Sequence, residues 1–406
     1  MYIGIVNKLL EMLRKLDKYL VINIALLGIV SSVFIHSTVT VFPQYGVSNH
    51  GMKQAIFYVI SFMVLLIMTN VDFSIWMKFR WYIYTLFLVL LLILFLAPAS
   101  MTSNPNGIIR EVNAAVSWFF LPGFALQPSE FMKFALILVF AAEIEKHNKK
   151  YSMQDMKTDV WLLIKLFIIL APVAFLVYKQ PDTGMVVLYL AILAPMIYLS
   201  GIQRKILIFF AAIPTAIIGF VVTCYFFFHD FYQEKLLGSL SGHQISRING
   251  WLHPFEFLDS SYQTRLGIMA IGTGQFEGKG YLGNTVYTPE KHTDFIFTTI
   301  AEEMGFLGGA FVLVLMFSLV YRIILITMQA ETRMSAMIGA SIATLFAFQI
   351  FQNIGMTMGL LPVTGITLPF ISYGGSSLIS NIMLISLVCL IKQSYDGLFF
   401  KSDTKE

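Results

Sequence analysis

The densest group of reactive side chains in this sequence is Pro289-Glu290-Lys291-His292-Thr293-Asp294, followed at once by the apolar run Phe295-Ile296-Phe297. A carboxylate at the start of an apolar helix has two uses. Asp294 or Thr293 can cap the helix, because its first N–H groups lack partners and its N-terminal end carries partial positive charge. Asp294 can also serve as a general base at a membrane surface, with its reactivity set by burial and by Lys291 and His292. The two uses are compatible, and spacing favours neither.

Thr298, Ala301 and Gly305 follow Asp294 at helical spacing, a small and polar stripe suited to line a cavity. Glu302 and Glu303 lie about two turns in. Carboxylates at membrane depth are costly, so they mark either a substrate contact or a buried ion pair that fixes helix packing. Lys133 is the candidate partner, one turn beyond Gln127-Pro128-Ser129-Glu130. That run is a helix start: Pro128 suits the first turn, and Ser129 and Glu130 can satisfy free N–H groups. Trp118 precedes it, either as an interfacial anchor or as a surface on which a sugar stacks.

Gly272, Gly274, Gly278, Gly280 and Gly283 give a tightly folded segment between two apolar runs, and Arg247, Arg265, Lys279 and Lys291 give it positive charge suited to a phosphate or pyrophosphate. Gln180-Pro181-Asp182-Thr183-Gly184 reads as a turn. Leu361-Pro362-Val363-Thr364-Gly365 and Leu368-Pro369-Phe370-Ile371-Ser372-Tyr373-Gly374-Gly375 break a helix, which is tolerated at membrane depth only where the backbone is buried or lines a cavity. Enzymes and carriers both use such breaks.

Apolar helices carry these residues. Of 406 residues, 57% are hydrophobic and 12% charged, which excludes an ordinary soluble domain. Runs near 19–42, 54–71, 82–98, 129–144, 160–178, 184–200, 206–228, 294–323, 335–358 and 369–392 are continuous rather than alternating. They predict an all-α polytopic membrane protein of about ten transmembrane helices in one domain. The first run is long for a signal peptide and lacks a cleavage site, so it reads as a signal anchor.

Lys and Arg set the orientation. Lys8, Arg14, Lys15 and Lys18; Lys78 and Arg80; Lys146, Lys149, Lys150 and Lys157; Arg204 and Lys205; Arg333; and Lys401 and Lys405 fall on one side of a ten-span chain. That side is the cytoplasm, with both termini inside: residues 1–18 and the tail 393–406 are cytoplasmic. The segments 99–128 and 229–293 are extracellular, the second a large loop between helices 7 and 8. A net charge of +4 with no basic block argues against nucleic acid. Cys224 and Cys389 both lie in apolar runs, which disfavours a disulfide, and no metal-ligand spacing exists.

Six segments together resemble one family: WFFLPGFALQPSEFMK, QPDTG, RINGWLHPFEF, IGTGQFEGKGYLGN, PEKHTDFIFTTIAEEMGFLG and NIGMTMGLLPVTGITLPFISYGGSSLISN. In this order they are similar to the SEDS proteins (shape, elongation, division and sporulation), represented by RodA, FtsW and SpoVE. The match covers about residues 118–381; the first hundred residues resemble the family in topology only. The resemblance implies a ten-helix fold in the bacterial cell membrane with its active site outside. It implies a peptidoglycan glycosyltransferase that polymerises lipid II, partnered by a class B penicillin-binding protein and other elongation or division machinery.

It further implies that Asp294, in His-Thr-Asp-Phe, is the essential acidic residue, and that Trp118 matches the family tryptophan. Trp118, Lys133, Arg247, Lys291, His292 and Glu302 are then the candidate substrate-binding residues. Lys133, Arg247 and Lys291 are the candidates to neutralise a departing pyrophosphate. A divalent cation would suit that chemistry, and no ligand set identifies one. The chain departs from the family where a Gly-Ala pair and a basic residue often precede the tryptophan: it has Ala114, Ala115, Val116 and Ser117. Gly272-Thr273-Gly274 and Pro289-Glu290-Lys291-His292 are closest to RodA, which points to elongation. A lipid II flippase is the competing class. Polarity concentrated outside the bilayer favours the enzyme over it. A scaffold that only recruits a transpeptidase is the third.

Overall fold

The computed structural model describes residues 16–38, 49–104, 106–112, 115–151, 155–239 and 242–402. Lys8, Arg14, Lys15, Ala114 and Lys405 lie outside them, as does the end of the first apolar run. Numbered in chain order, the long helices are α1 (Lys18–Ser37), α2 (His50–Thr69), α3 (Phe73–Leu96), α4 (Pro128–Lys150), α5 (Met156–Lys179), α6 (Thr183–Leu199) and α7 (Arg204–Phe227). After two helices of the intervening segment, α8 (Gly242–Leu252) and α9 (Tyr262–Gly274), come α10 (Ile296–Met328), α11 (Arg333–Thr357) and α12 (Gly375–Ser402). The expected polytopic all-α architecture is therefore present.

Among the described residues, eight helices are long and apolar enough to cross a membrane. Of the remaining long ones, α6 has 17 residues, and α4 carries charge. Its position accounts for that charge. Every residue of α4 from Pro128 to Ile144 is buried, so it presents no face to lipid and its ions are paired inside the bundle. Glu130 meets Lys133 at 2.6 Å, and Glu143 meets Lys165 of α5. At the other extreme is α7, in which Ile206 and Cys224 are the buried residues. Helices α2, α6, α10 and α11 pack around the α4–α12 centre.

The segment before α4 forms a small antiparallel hairpin, β1 (Phe119–Leu121) and β2 (Phe124–Leu126), with Phe119 opposite Leu126. Helix α10 is broken at Gly305 (φ 60°, ψ −156°). A break inside the bundle frees backbone groups that must find partners. Here the chain after α9 supplies them: Phe306 N donates to Gln275 O at 2.9 Å, Lys279 N to Glu302 O at 3.0 Å, and Gly280 N to Glu303 O at 2.9 Å. Only glycine permits this approach at Gly278, where a Cβ would lie 2.1 Å from Glu303 O.

At one end of the bundle Asp17 caps α1 and is fully buried. It accepts from Arg322 of α10 at 3.0 and 2.6 Å and from Lys392 of α12 at 2.8 Å. Burial raises its pKa, but Arg322 and Lys392 outweigh burial and hold the carboxyl at about 2. A depressed carboxylate pKa contributes stability that is present above the ordinary value of 3.8 and is lost as pH falls toward 2. We expect Asp17→Asn to cost about 2 kcal/mol at neutral pH. Thermal unfolding in detergent at pH 7, 4 and 2.5 should show the difference from wild type shrinking over the last interval; a gap constant with pH would contradict the ionic account.

Candidate active site

The opposite end of the bundle gathers the sequence motifs. Helices α2, α4, α6, α10 and α12 all begin there. The chain between α11 and α12, residues 358–374, runs among these starts without helix, as its Gly and Pro content predicts. Asn353 of α11 fixes the centre: its Nδ2 donates to Asp294 O and to Ile366 O, both at 2.7 Å. Ser372 Oγ donates to Thr293 O at 2.7 Å, and Tyr373 N to His292 O at 2.9 Å. His292 also stacks on His50 at the start of α2 (5.4 Å, 7° between planes). Burial pushes its pKa down, against the opposing pull of Glu290.

Asp294 is thus held by its backbone, and its side chain is left free. Neither expected cap holds. The N-cap of α10 is Phe295 and makes no side-chain bond, and Thr293 Oγ1 donates to Glu290 at 3.0 Å instead. The cause is the turn at Glu290 (φ 53°), which starts the helix two residues later than Asp294. The stripe expected at Thr298, Ala301 and Gly305 fails for the same reason and because of the break at Gly305: Thr298 and Ala301 are buried in packing.

Among the described residues, no hydrogen bond or ion pair reaches the Asp294 carboxylate. It is half-buried beside Gly365, where a Cβ would lie 3.5 Å from Oδ2. Gly365 has φ 74°, so glycine both permits the turn and leaves the carboxylate uncovered. Burial, then the charges of Glu290 and Asp182, push the Asp294 pKa up to about 8.

Asp182 is the residue that sequence reasoning gave only a turn. It caps α6, accepting from Met185 N at 3.1 Å, and also accepts from Gln127 Nε2 at 3.4 Å. Burial and the Glu130 charge outweigh the Met185 bond and Lys133, so its pKa rises to about 6. A Pro-Asp-x-Gly turn that closes against a second carboxylate carries no local signal of it. Gly184 packs on Ile366 and Thr364 O, bringing α6 against the broken segment beside Asp294.

Lys133 also reaches this group, but not the Glu302–Glu303 pair proposed for it. Its ammonium is buried, 2.6 Å from Glu130 and 3.2 Å from Asn381. Glu130 therefore does not cap α4; Gln127 is the N-cap, without a side-chain bond, and Pro128 takes the first position. Trp118 is half-buried, one step beyond the Phe119–Leu126 pair and thus beside Gln127 in the hairpin register. The hairpin rests on α12, with Phe124 against Gly375.

Two predicted substrate contacts, Glu302 and Lys291, are corrected. Glu302 is fully buried and saturated: it takes Lys279 Nζ (2.7 Å), Lys291 Nζ (2.8 Å), Thr285 N (2.8 Å) and Val286 N (3.1 Å). Lys291 is equally buried and also donates to Val286 O at 3.0 Å and Asn284 at 3.3 Å. Both belong to a structural ion cluster that folds residues 279–291 onto α10. Glu303 extends it, accepting from Ser37 and Asn284. Arg247 stands exposed on α8, and among the described residues no bond joins it to Asp294.

What remains for an anion is the convergence itself. Helix N-termini present unpaired N–H groups and positive partial charge, a ready setting for phosphate. The starts of α4 and α12 are joined by Gln127 N to Ser376 Oγ (3.1 Å) and Ser380 Oγ to Glu130 O (2.6 Å), and α2 joins them through Gln54 Nε2 to Ser372 O (3.2 Å). A free carboxylate poised near neutral pH beside such a surface can take a proton from a nucleophile attacking a phosphorylated carbon.

Comparison with known proteins places this architecture. The family FTSW_RODA_SPOVE, described as "Cell cycle protein", matches residues 15–396. A "Probable peptidoglycan glycosyltransferase FtsW" of Trichlorobacter lovleyi is 33% identical over 94% of this chain and 95% of its own. "Stage V sporulation protein E" of Bacillus subtilis is 30% identical over 92% and 95%. Among solved structures, a chain described under "Structural coordination of polymerization and crosslinking by a peptidoglycan synthase complex" superposes with TM-score 0.72, covering 94% of this chain and 98% of that one at 22% identity. The rod shape determining protein RodA of Thermus thermophilus gives 0.62 at 22% identity, covering 94% and 97%.

Proposed function

This chain belongs to the FtsW/RodA/SpoVE family of cell cycle proteins, and on that footing we propose that it is a peptidoglycan glycosyltransferase that polymerises lipid II at the Asp294 end of the bundle. The names of its relatives support the activity. The observation that carries the site is an uncovered carboxylate, without a bond to any other described residue, held by its backbone at the meeting point of five helix starts.

Asp294 is the base. It takes the proton from the 4-hydroxyl of the acceptor sugar as that oxygen attacks the anomeric carbon of the donor. The donor's α-linked pyrophosphate leaves with the lipid, and inversion gives a β-1,4 bond. Pyrophosphate is a good leaving group, so a second carboxylic acid, as hydrolytic glycosidases use, is not required. The helix starts stabilise its charge in place of Lys291 and Lys133, whose buried ammonium groups are committed to Glu302 and Glu130. Burial, with the charges of Glu290 and Asp182, keeps the Asp294 pKa high. Among the described residues, no three His, Cys, Asp or Glu side chains are grouped to hold a metal.

We place the Asp294 end outside the cell, because the Lys and Arg of the short loops cluster at the Asp17 end; ten spans with both termini inside follow. The partner is a class B penicillin-binding protein, a reading supported by the neighbour described as coordinating polymerisation and crosslinking. We assign an elongation role from Gly272-Thr273-Gly274 and Pro289-Glu290-Lys291-His292. The FtsW and sporulation names of the sequence relatives favour division or sporulation as the second reading. A fluorescent fusion along the side wall supports the first, and one confined to septa the second.

Product formation by the purified protein separates the classes, since a flippase or a scaffold makes no glycan strands. The pH profile adds a signature. A base must be ionised, so polymerisation should rise about tenfold per pH unit on the acid limb and level off near the Asp294 pKa of about 8. A rate independent of pH between 5 and 8 would remove Asp294 from the proton transfer.

A further inference from the structure

We propose that the groove between α1 and α10 at the Asp17 end binds an anionic phospholipid of the adjoining leaflet, its phosphate at Arg322 and an acyl chain along the groove. The site lies at the end of the bundle opposite Asp294. The groove holds about 460 Å³ and opens on the outer surface, between Tyr19, Ile22 and Leu26 on one side and Leu315, Tyr321 and Leu325 on the other. Three observations identify the occupant.

The first is charge. Among the described residues, Arg322 and Lys392 share the single carboxylate of Asp17, which leaves this cluster with one positive charge in excess beside the groove. Arg322 is partly exposed, and its guanidinium lies 4.8 Å over the ring of Tyr19. An arginine fixed on one side by a carboxylate and on the other by an aromatic face presents its remaining donors to phosphate in a defined direction.

The second is the floor. Asn23 is buried and donates to Leu315 O at 3.0 Å and to Ser318 Oγ, but its Oδ1 has no partner. Asn23 thus makes the floor of the groove polar beneath the position of a headgroup, where a purely apolar partner would have no use for it.

The third is the rim. Helices that associate in a bilayer meet through small residues that let their backbones approach. This rim is Tyr19, Ile22, Leu26, Tyr321 and Leu325, with exposures of 69%, 58% and 39% at the first three; Ser318 is the one small residue of the lining, too few for an extended small-residue seam to a second helix. A flexible acyl chain fits between such side chains, and tyrosines suit the interfacial depth.

Native mass spectrometry of the full chain, released from detergent with phosphatidylglycerol or phosphatidylcholine, tests this. One phosphatidylglycerol should be retained in preference to phosphatidylcholine. Arg322→Gln should weaken that binding about fivefold to tenfold. Leu26→Trp fills the groove without touching the Asp17 cluster, so it keeps the test independent of folding around Asp17; it too should abolish the preference. Equal retention of the two lipids, or phosphatidylglycerol binding unchanged in both variants, overturns the proposal. So does a photocrosslinker at position 26 that captures the helix of another protein and no lipid.

Discussion

Asp294→Asn is expected to lower lipid II polymerisation by the purified protein about 10²–10⁴-fold while leaving the fold intact. The side chain is nearly unchanged in shape, and no hydrogen bond from another described residue is lost because none reaches the carboxylate. The stability effect has the opposite sign to the activity effect. The Asp294 pKa stands at about 8 against an ordinary 3.8, so ionisation destabilises the folded state progressively as pH rises through that interval. The Asn variant cannot ionise and should unfold at the same temperature as wild type or a higher one at pH 9. Turnover of fluorescent lipid II and thermal unfolding on one preparation measure both. An inactive variant that also unfolds early would make Asp294 a structural residue.

Glu302→Gln is expected to have the largest effect on stability. It leaves Lys291 fully buried beside a neutral partner, with Lys279 and the N–H groups of Thr285 and Val286 competing for one oxygen. Breaking one side of a buried pair costs about 3–5 kcal/mol. Lys291→Met should cost less, because Glu302 keeps Lys279 and both backbone donors. The double variant should recover part of the Glu302→Gln loss, since no uncompensated ammonium remains. Thermal unfolding of the three proteins decides it. Additive losses would mean that the two side chains act independently. Activity should fall with folding, because residues 284–291 lead directly into His292 and Asp294.

Much of this was legible from local pattern. Apolar runs located the long helices, and Gly and Pro density located the unwound chain at 361–374, because both depend on residues close in sequence. Pairings across the bundle were not legible. Glu302 meets Lys291, eleven positions before it, only because the turn at Glu290 and the break at Gly305 fold the loop back onto α10. Lys133 meets Glu130 a turn away, yet a search for partners of intramembrane carboxylates looks past so near a neighbour. The same turn delays the start of α10 and releases Asp294 from the capping role that its position suggested. Asp182 is the clearest omission. Its burial and proximity to Asp294 come from α6 packing on the unwound segment through Gly184, which nothing in Gln-Pro-Asp-Thr-Gly announces. α4 shows the converse: its charges weaken the signal of a span because no part of its first four turns faces lipid.

The claim on which the mechanism rests is that position 294 opens to the outside, within reach of a lipid-linked sugar. Cys224 and Cys389 are both buried, so a thiol placed at 294 can be labelled against little background. In sealed, right-side-out vesicles carrying Asp294→Cys, a membrane-impermeant maleimide added outside should label the protein, and lipid II should protect it. Labelling only from the cytoplasmic face, or outside labelling that lipid II leaves unchanged, would contradict the account.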